Sequence, residues 1–193
     1  MEEAKATLPT ITGLRPYQAS LFAEKYLEYG SWLSVKTFAY EDNVFDTSRK
    51  NTSNRYSNHL IKILSSLDND QIRIVASGCD KDRLAMLWLG FCVAYPLVGG
   101  FVSDVVCVKY ANRNFTLKSA DLWEYLADRS IEYPRLNDIS ESIRDKAKYV
   151  IFGNLRDAGY LNGLDEIQHA YLSSSVKDAV GPDNLRYFPG EVL

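Results

Sequence analysis

The sequence predicts a mainly α-helical protein: a helical bundle around a central buried helical hairpin, followed by a C-terminal winged-helix-like part with a small β-hairpin. Three observations lead there. The run Leu84 to Ser103 passes twenty residues without a charge. Most other apolar residues recur at helical spacing between strong start and stop signals. Only residues 115–117 and 160–171 read as strand.

The apolar run is long enough to span a membrane. Pro96 interrupts it, removing a helical hydrogen bond, and Gly99 and Gly100 weaken the helix further. The half after Pro96 is amphipathic, with Leu97, Phe101, Val105 and Val108 on one side and Gly99, Ser103 and Asp104 on the other. Lys81 and Arg83 before the run match Lys109 and Arg113 after it, so no positive-inside asymmetry exists. The expectation is two core helices joined near Pro96, with no membrane contact.

The remaining elements follow in order. Residues 1–14 read as a flexible leader with a turn at Thr12-Gly13. A helix runs from Pro16 to Tyr29 and stops at Gly30. Ser31 caps a second, Trp32 to Tyr40. A loop at Asn43 to Asp46 precedes a helix over Thr47 to Leu67. Asp68 and Gln71 have capping-box spacing for a short helix ending at Gly78. Asp80 caps the buried helix. Phe115-Thr116-Leu117 is a short strand. Ser119 caps a helix with Leu122, Trp123, Leu126 and Ile131 inward, ended by Tyr133-Pro134. Asp138 and Glu141 form another capping-box spacing, opening a long helix to Ala158 with Ile143, Ala147, Val150, Ile151 and Leu155 inward. Gly159 stops it. Tyr160 to Tyr171 is a hairpin about Asn162-Gly163, and Ser173 to Val180 a short helix. The expected division is an N-terminal helical domain over 1–112 and a winged-helix-like domain over 113–193, packed together.

Of 193 residues, 22 are basic and 25 acidic, a net charge of −3 that argues against an overall cationic coat but leaves room for a local patch. The three cysteines, Cys79, Cys92 and Cys107, form no C-x-x-C and read as buried thiols in a reducing compartment. The N-terminus, MEEAKATLPT, resembles neither a signal peptide nor a lipidation site. A cytoplasmic location is expected.

No catalytic constellation emerges, so a non-enzyme without cofactor or metal is expected. His59 and His169 lack companions at metal-ligand spacing and read as surface or interface residues. Gly99-Gly100 lacks the spacing of a phosphate loop. Two basic clusters remain. Arg49, Lys50, Arg55 and Lys62 lie in residues 47–67, a segment with no acidic residue, beside Ser, Thr and Asn side chains suited to phosphate contacts. Arg144 and Lys148 stand at i, i+4 on the long helix, with Lys146 and Arg156 nearby. A solvated helix start and an ordinary charged face are the competing readings. The candidate ligand is DNA, with RNA as the variant.

The chain also resembles the A component of BREX bacteriophage-defence systems, over residues 10–180. The resemblance is carried by Thr12-Gly13-Leu14; Tyr26-Leu27-Glu28-Tyr29-Gly30-Ser31-Trp32; Asn43-Val44-Phe45 followed by Ser53 and Arg55; Leu87-Trp88-Leu89 with Cys92 and Tyr95; and Leu155-Arg156-Asp157-Ala158-Gly159-Tyr160-Leu161. Ile63-Leu64 departs from an Arg-Leu pair often found there in the family. The resemblance implies a small, helical, non-catalytic, nucleic-acid-binding protein acting with other BREX components in a system that methylates host DNA and blocks phage replication. The alternative is a protein–protein adaptor that assembles the larger defence subunits.

Overall fold

Helix boundaries follow local punctuation. The computed structural model describes residues 7–11 and 13–191, and Thr12 of the expected Thr12-Gly13 turn and half of the leader lie outside them. α1 (Pro16–Tyr29) opens on Pro16 and stops at Gly30, whose φ of 66° suits a residue without Cβ. α2 (Trp32–Glu41) is capped by Ser31, whose Oγ accepts the Ser34 N–H at 3.4 Å. α3 (Lys50–Leu64) begins at Lys50 rather than Thr47. Asn43 Oδ1 takes the Thr47 N–H at 3.0 Å, and Thr47 Oγ1 takes the Arg49 N–H at 3.3 Å, holding those residues in the preceding loop. α4 (Asn69–Ser77) carries its capping box: Asp68 Oδ1 accepts the Gln71 N–H at 2.9 Å, and Gln71 Oε1 accepts the Asp68 N–H at 3.1 Å. α5 (Asp80–Ala94) contains Asp80 in its first turn.

Pro96 starts α6 (Pro96–Phe101), which continues through a π-helical segment, Val102–Cys107, into α7 (Val108–Ala111). α8 is Ser119–Arg129, and its first turn is held by Asp121 Oδ2 accepting the Lys118 N–H at 2.6 Å. A 3-10 turn, Pro134–Asp138, precedes α9 (Glu141–Asp157). Ser140, not Asp138, precedes α9, and the expected Asp138–Glu141 box does not form. Gly159 (φ 80°) follows α9, and Gly181 (φ 72°) follows α10 (Ser174–Val180). A last 3-10 turn spans Pro182–Tyr187.

The chain divides into two compact units. One comprises Leu14–Ala94 with Leu172–Val180. Its core is Leu14, Phe22, Leu60, Ile63, Ile72, Met86, Trp88 and Phe91, all essentially sealed from solvent. Gly90 lets α5 meet α3 closely: a Cβ there would lie 2.8 Å from the Ile63 carbonyl oxygen. α10 is tied in where Gln71 Nε2 donates to the Ala179 carbonyl at 2.8 Å.

The other unit comprises residues up to Gly13, Tyr95–Tyr171 and Gly181 onward. Phe101, Val106, Leu122, Val150, Leu155, Leu161 and Phe188 fill its core. Gly100 admits the Tyr125 hydroxyl, which a Cβ would overlap. Fully buried Asn154 accepts the Gly13 N–H on Oδ1 at 3.0 Å, and Leu8 is buried, so the described part of the leader is docked rather than loose. Lys109 and Asp121 form an ion pair at 2.9 Å, both less than a fifth exposed.

Several expectations are corrected. No β-strand forms among the described residues, so neither the β-hairpin nor a winged-helix part built on it exists there. Two isolated bridges replace it, Thr116 to Glu166 and Leu161 to Ile167. The Asn162 turn explains this. Asn162 Oδ1 accepts the N–H groups of both Leu164 and Glu166 at 2.9 Å, and Asp165 is left-handed at φ 59°, so the chain turns again before a ladder can extend. The apolar run forms two largely buried helices broken at Tyr95–Pro96, its first half in one unit and its second half in the other. By compactness the units meet in the chain at Ala94–Tyr95. Ile131 lies beyond the end of α8 and is 87% exposed, and Ile143 is exposed in the first turn of α9. No single helix among the described residues is long and apolar enough to cross a membrane; the run meets that length only as two helices broken at Tyr95.

Candidate nucleic-acid interface

The first basic cluster is built on α3. Its entry loop uses left-handed Asn43 (φ 48°) and Asp46 (φ 46°), residue types that tolerate this conformation, and delivers Arg49 to the N-cap position. Arg49, Lys50 and Arg55 are exposed. Lys50 Nζ lies 4.9 Å from the centre of the Tyr40 ring, a cation–π contact that leaves its charge at the surface. Lys62 is half-buried, and burial lowers its pKa. One of the hydroxyls expected beside these cations cannot reach a ligand at the surface, because Ser53 is buried. Helical spacing puts Arg55, His59 and Lys62 at i, i+4 and i+7 on one side of α3, while Arg49 and Lys50 occupy its N-terminal end.

Two residues of this region were not among the expected contacts. His59 is not a surface residue: it is 3% exposed. Its pKa is pushed down to about 4, first by burial, then by the charges of Arg15 and Lys62. Arg15 stands before α1 in a left-handed conformation, φ 49°. Its guanidinium carbon sits 3.9 Å from the Tyr56 ring centre, and its buried Nε has no hydrogen-bond partner. The helical spacing of His59 between Arg55 and Lys62 was a signal available in sequence; the approach of Arg15, from another element, was not.

The second cluster, on α9, belongs to the other compact unit. Arg144 Nη2 donates to the Leu136 carbonyl at 3.3 Å, and its side chain helps line a cavity with Leu8, Trp123, Leu126, Leu136 and Ile139. Lys148, one turn on, is half-buried. Lys146 is exposed, and Arg156 is ion-paired with Asp165. The same unit carries a groove of opposite sign lined by Asp104, Asp121, Glu124 and Asp128, in which Arg129 pairs with Asp104 at 2.6 Å. A polyanion is repelled there. Among the described residues no group of three His, Cys, Asp or Glu is placed to hold a metal ion.

Comparison with known proteins adds a family. The BrxA family model matches residues 16–181. The chain is 25% identical over 122 residues to the BREX protein BrxA of Escherichia coli O9:H4 (strain HS), a match covering 62% of this chain and 56% of that relative. The matched part is therefore little more than half the length of the relative. An uncharacterized protein from Magnetospirillum magneticum has a crystal structure with a TM-score of 0.75 to this chain, at 16% identity and with 91% of each chain covered. That likeness establishes a shared fold.

Proposed function

The chain belongs to the BrxA family, and from that premise we propose that it is a non-catalytic, cytoplasmic component of a BREX anti-phage defence system that binds double-stranded DNA. The observation that carries this reading is α3 with its entry: four basic residues, Arg49, Lys50, Arg55 and Lys62, and no acidic one between positions 47 and 67, in a chain of net charge −3. Cations gathered on one helix of an acidic protein supply the sequence-independent part of nucleic-acid affinity, by releasing counterions from phosphates. Lys148 and Arg144 on α9 are the second proposed contact. The relative's name, a BREX protein, supports the defence role. Band-shift titration of duplex DNA at two salt concentrations tests the proposal: binding that weakens steeply with salt supports it, and absence of binding at both sinks it.

A second reading is favoured by the exposed tyrosines Tyr17, Tyr40, Tyr149 and Tyr171. Tyrosine joins an apolar body to a polar tip and is enriched where proteins meet. On that reading the protein is an adaptor for other BREX components. Their co-purification with and without this chain decides it, unchanged assembly counting against the adaptor.

A further inference from the structure

We propose that Phe115, Tyr110, His169 and Tyr171, flanked by Arg113 and Lys118, form a stacking platform for the unpaired bases of single-stranded DNA. The platform belongs to the unit that does not carry α3. It goes beyond the duplex reading and rests on it only in naming DNA rather than RNA. Four rings run in series. Tyr110 meets Phe115 edge-on with ring centres 5.3 Å apart and His169 at 5.8 Å, and His169 meets Tyr171 at 4.4 Å. The middle of the series is fixed. Tyr110 Oη and His169 Nδ1 share a hydrogen bond of 3.2 Å, and the Gly190 backbone lies so close that a Cβ there would overlap the His169 ring. The ends are open, Phe115 at 43% and Tyr171 at 68% exposure. Rings already held in place lose little freedom when a ligand stacks on them.

The charges beside these rings select the partner. Residues 105–120 hold Lys109, Arg113 and Lys118 and no acidic residue. Lys109 is spent on Asp121, the next acid in the chain, at 2.9 Å. Arg113, two residues before Phe115, and Lys118, three after it, are exposed and enter no ion pair among the described residues. Glu166, bridged to Thr116, accepts from Asn162 Nδ2 at 2.8 Å. Open aromatic rings alternating with available cations match a strand in which bases alternate with phosphates. Paired bases hide their faces inside the duplex stack, so the strand that fits is unpaired.

Fluorescence anisotropy of the full chain with labelled oligothymidine, its duplex with oligoadenine, and oligouridine of equal length tests this. Wild type is expected to bind oligothymidine. Tyr171→Ala and Phe115→Ala should each weaken that binding about fivefold or more, the effect of losing one stacking ring, and leave duplex binding within about twofold. Tyr171→Phe keeps the ring and should bind oligothymidine as wild type does. Arg113→Gln should lower the slope of log affinity against log salt concentration by about 0.7, the single-strand value for one phosphate contact. No oligothymidine binding by wild type overturns the inference, and so does binding unchanged in both Tyr171→Ala and Arg113→Gln. Duplex binding that persists in either case leaves the α3 reading standing. Oligothymidine bound without duplex sinks the α3 reading and keeps the platform. Oligouridine bound as tightly as oligothymidine overturns the assignment to DNA. If Phe115→Ala does not fold, Tyr171→Ala and Arg113→Gln, both at exposed side chains, decide.

Discussion

Arg15 and Tyr56 are far apart in sequence and stacked in the fold, guanidinium carbon to ring centre 3.9 Å. The contact fixes a cation beside buried His59 and makes the start of α1 part of the electrostatics of α3. The burial of His59, with that cation second, bears first on stability against acid.

His59 has a folded-state pKa of about 4 against an ordinary value of 6.5. Above pH 6.5 the imidazole is neutral in both folded and unfolded chains and adds nothing. As pH falls from 6.5 toward 4, the unfolded chain binds a proton that the folded one refuses, and stability is lost by about 3 kcal/mol across that window. Urea midpoints at pH 7 and pH 4.5 measure it. His59→Gln should remove most of the loss; an equal loss in wild type and variant would mean another group is responsible.

Two glycines within helices should respond oppositely to the same change. Gly90→Ala would press a Cβ to 2.8 Å from the Ile63 carbonyl oxygen and 3.0 Å from its Cγ2, forcing α5 off α3. A loss of about 1–3 kcal/mol is expected. Gly153→Ala on α9 meets no atom within 4 Å, and its backbone is not left-handed. It should gain up to about 1 kcal/mol from helix propensity alone. Thermal melts of the two variants, shifted in opposite directions, check both.

The α9 pair should differ in what each loss costs, because only Arg144 is hydrogen-bonded to the fold. Arg144 satisfies the Leu136 carbonyl, so Arg144→Ala should cost about 1 kcal/mol of stability. Lys148 forms no ion pair among the described residues. Lys148→Glu should leave the melt within about 0.5 kcal/mol of wild type while weakening DNA binding. Melting curves beside band shifts distinguish the two.

What could be read from the chain was what short-range physics decides. Gly30 and Gly159 stop helices, Asp68 and Gln71 cap one another, and Pro96 breaks the apolar run, because each involves neighbours within a turn. Asn162-Gly163 signalled a turn correctly but not its outcome, since the Asn162 side chain draws in backbone donors that a ladder needs. The π-helical turn at Val102–Cys107 adds one residue to a helical turn and leaves no trace in hydrophobic spacing. A continuous apolar run also reads the same whether it fills one core or two, so its division at Tyr95 was hidden. At the candidate site, the α3 cations were visible as a segment without acids, whereas Arg15 reaches His59 only through the packing of α1 on α3.

The central claim, that the α3 cations meet DNA phosphates, is tested most directly by the salt dependence of binding. Each phosphate contact contributes about 0.9 to the slope of log affinity against log salt concentration. Measured on one duplex by fluorescence anisotropy from low to physiological salt, the triple variant Arg49→Gln, Lys50→Gln, Arg55→Gln should bind more weakly with a slope shallower by about 2.7, three contacts at that value. A variant that folds as wild type and binds with the same affinity and slope would contradict the account.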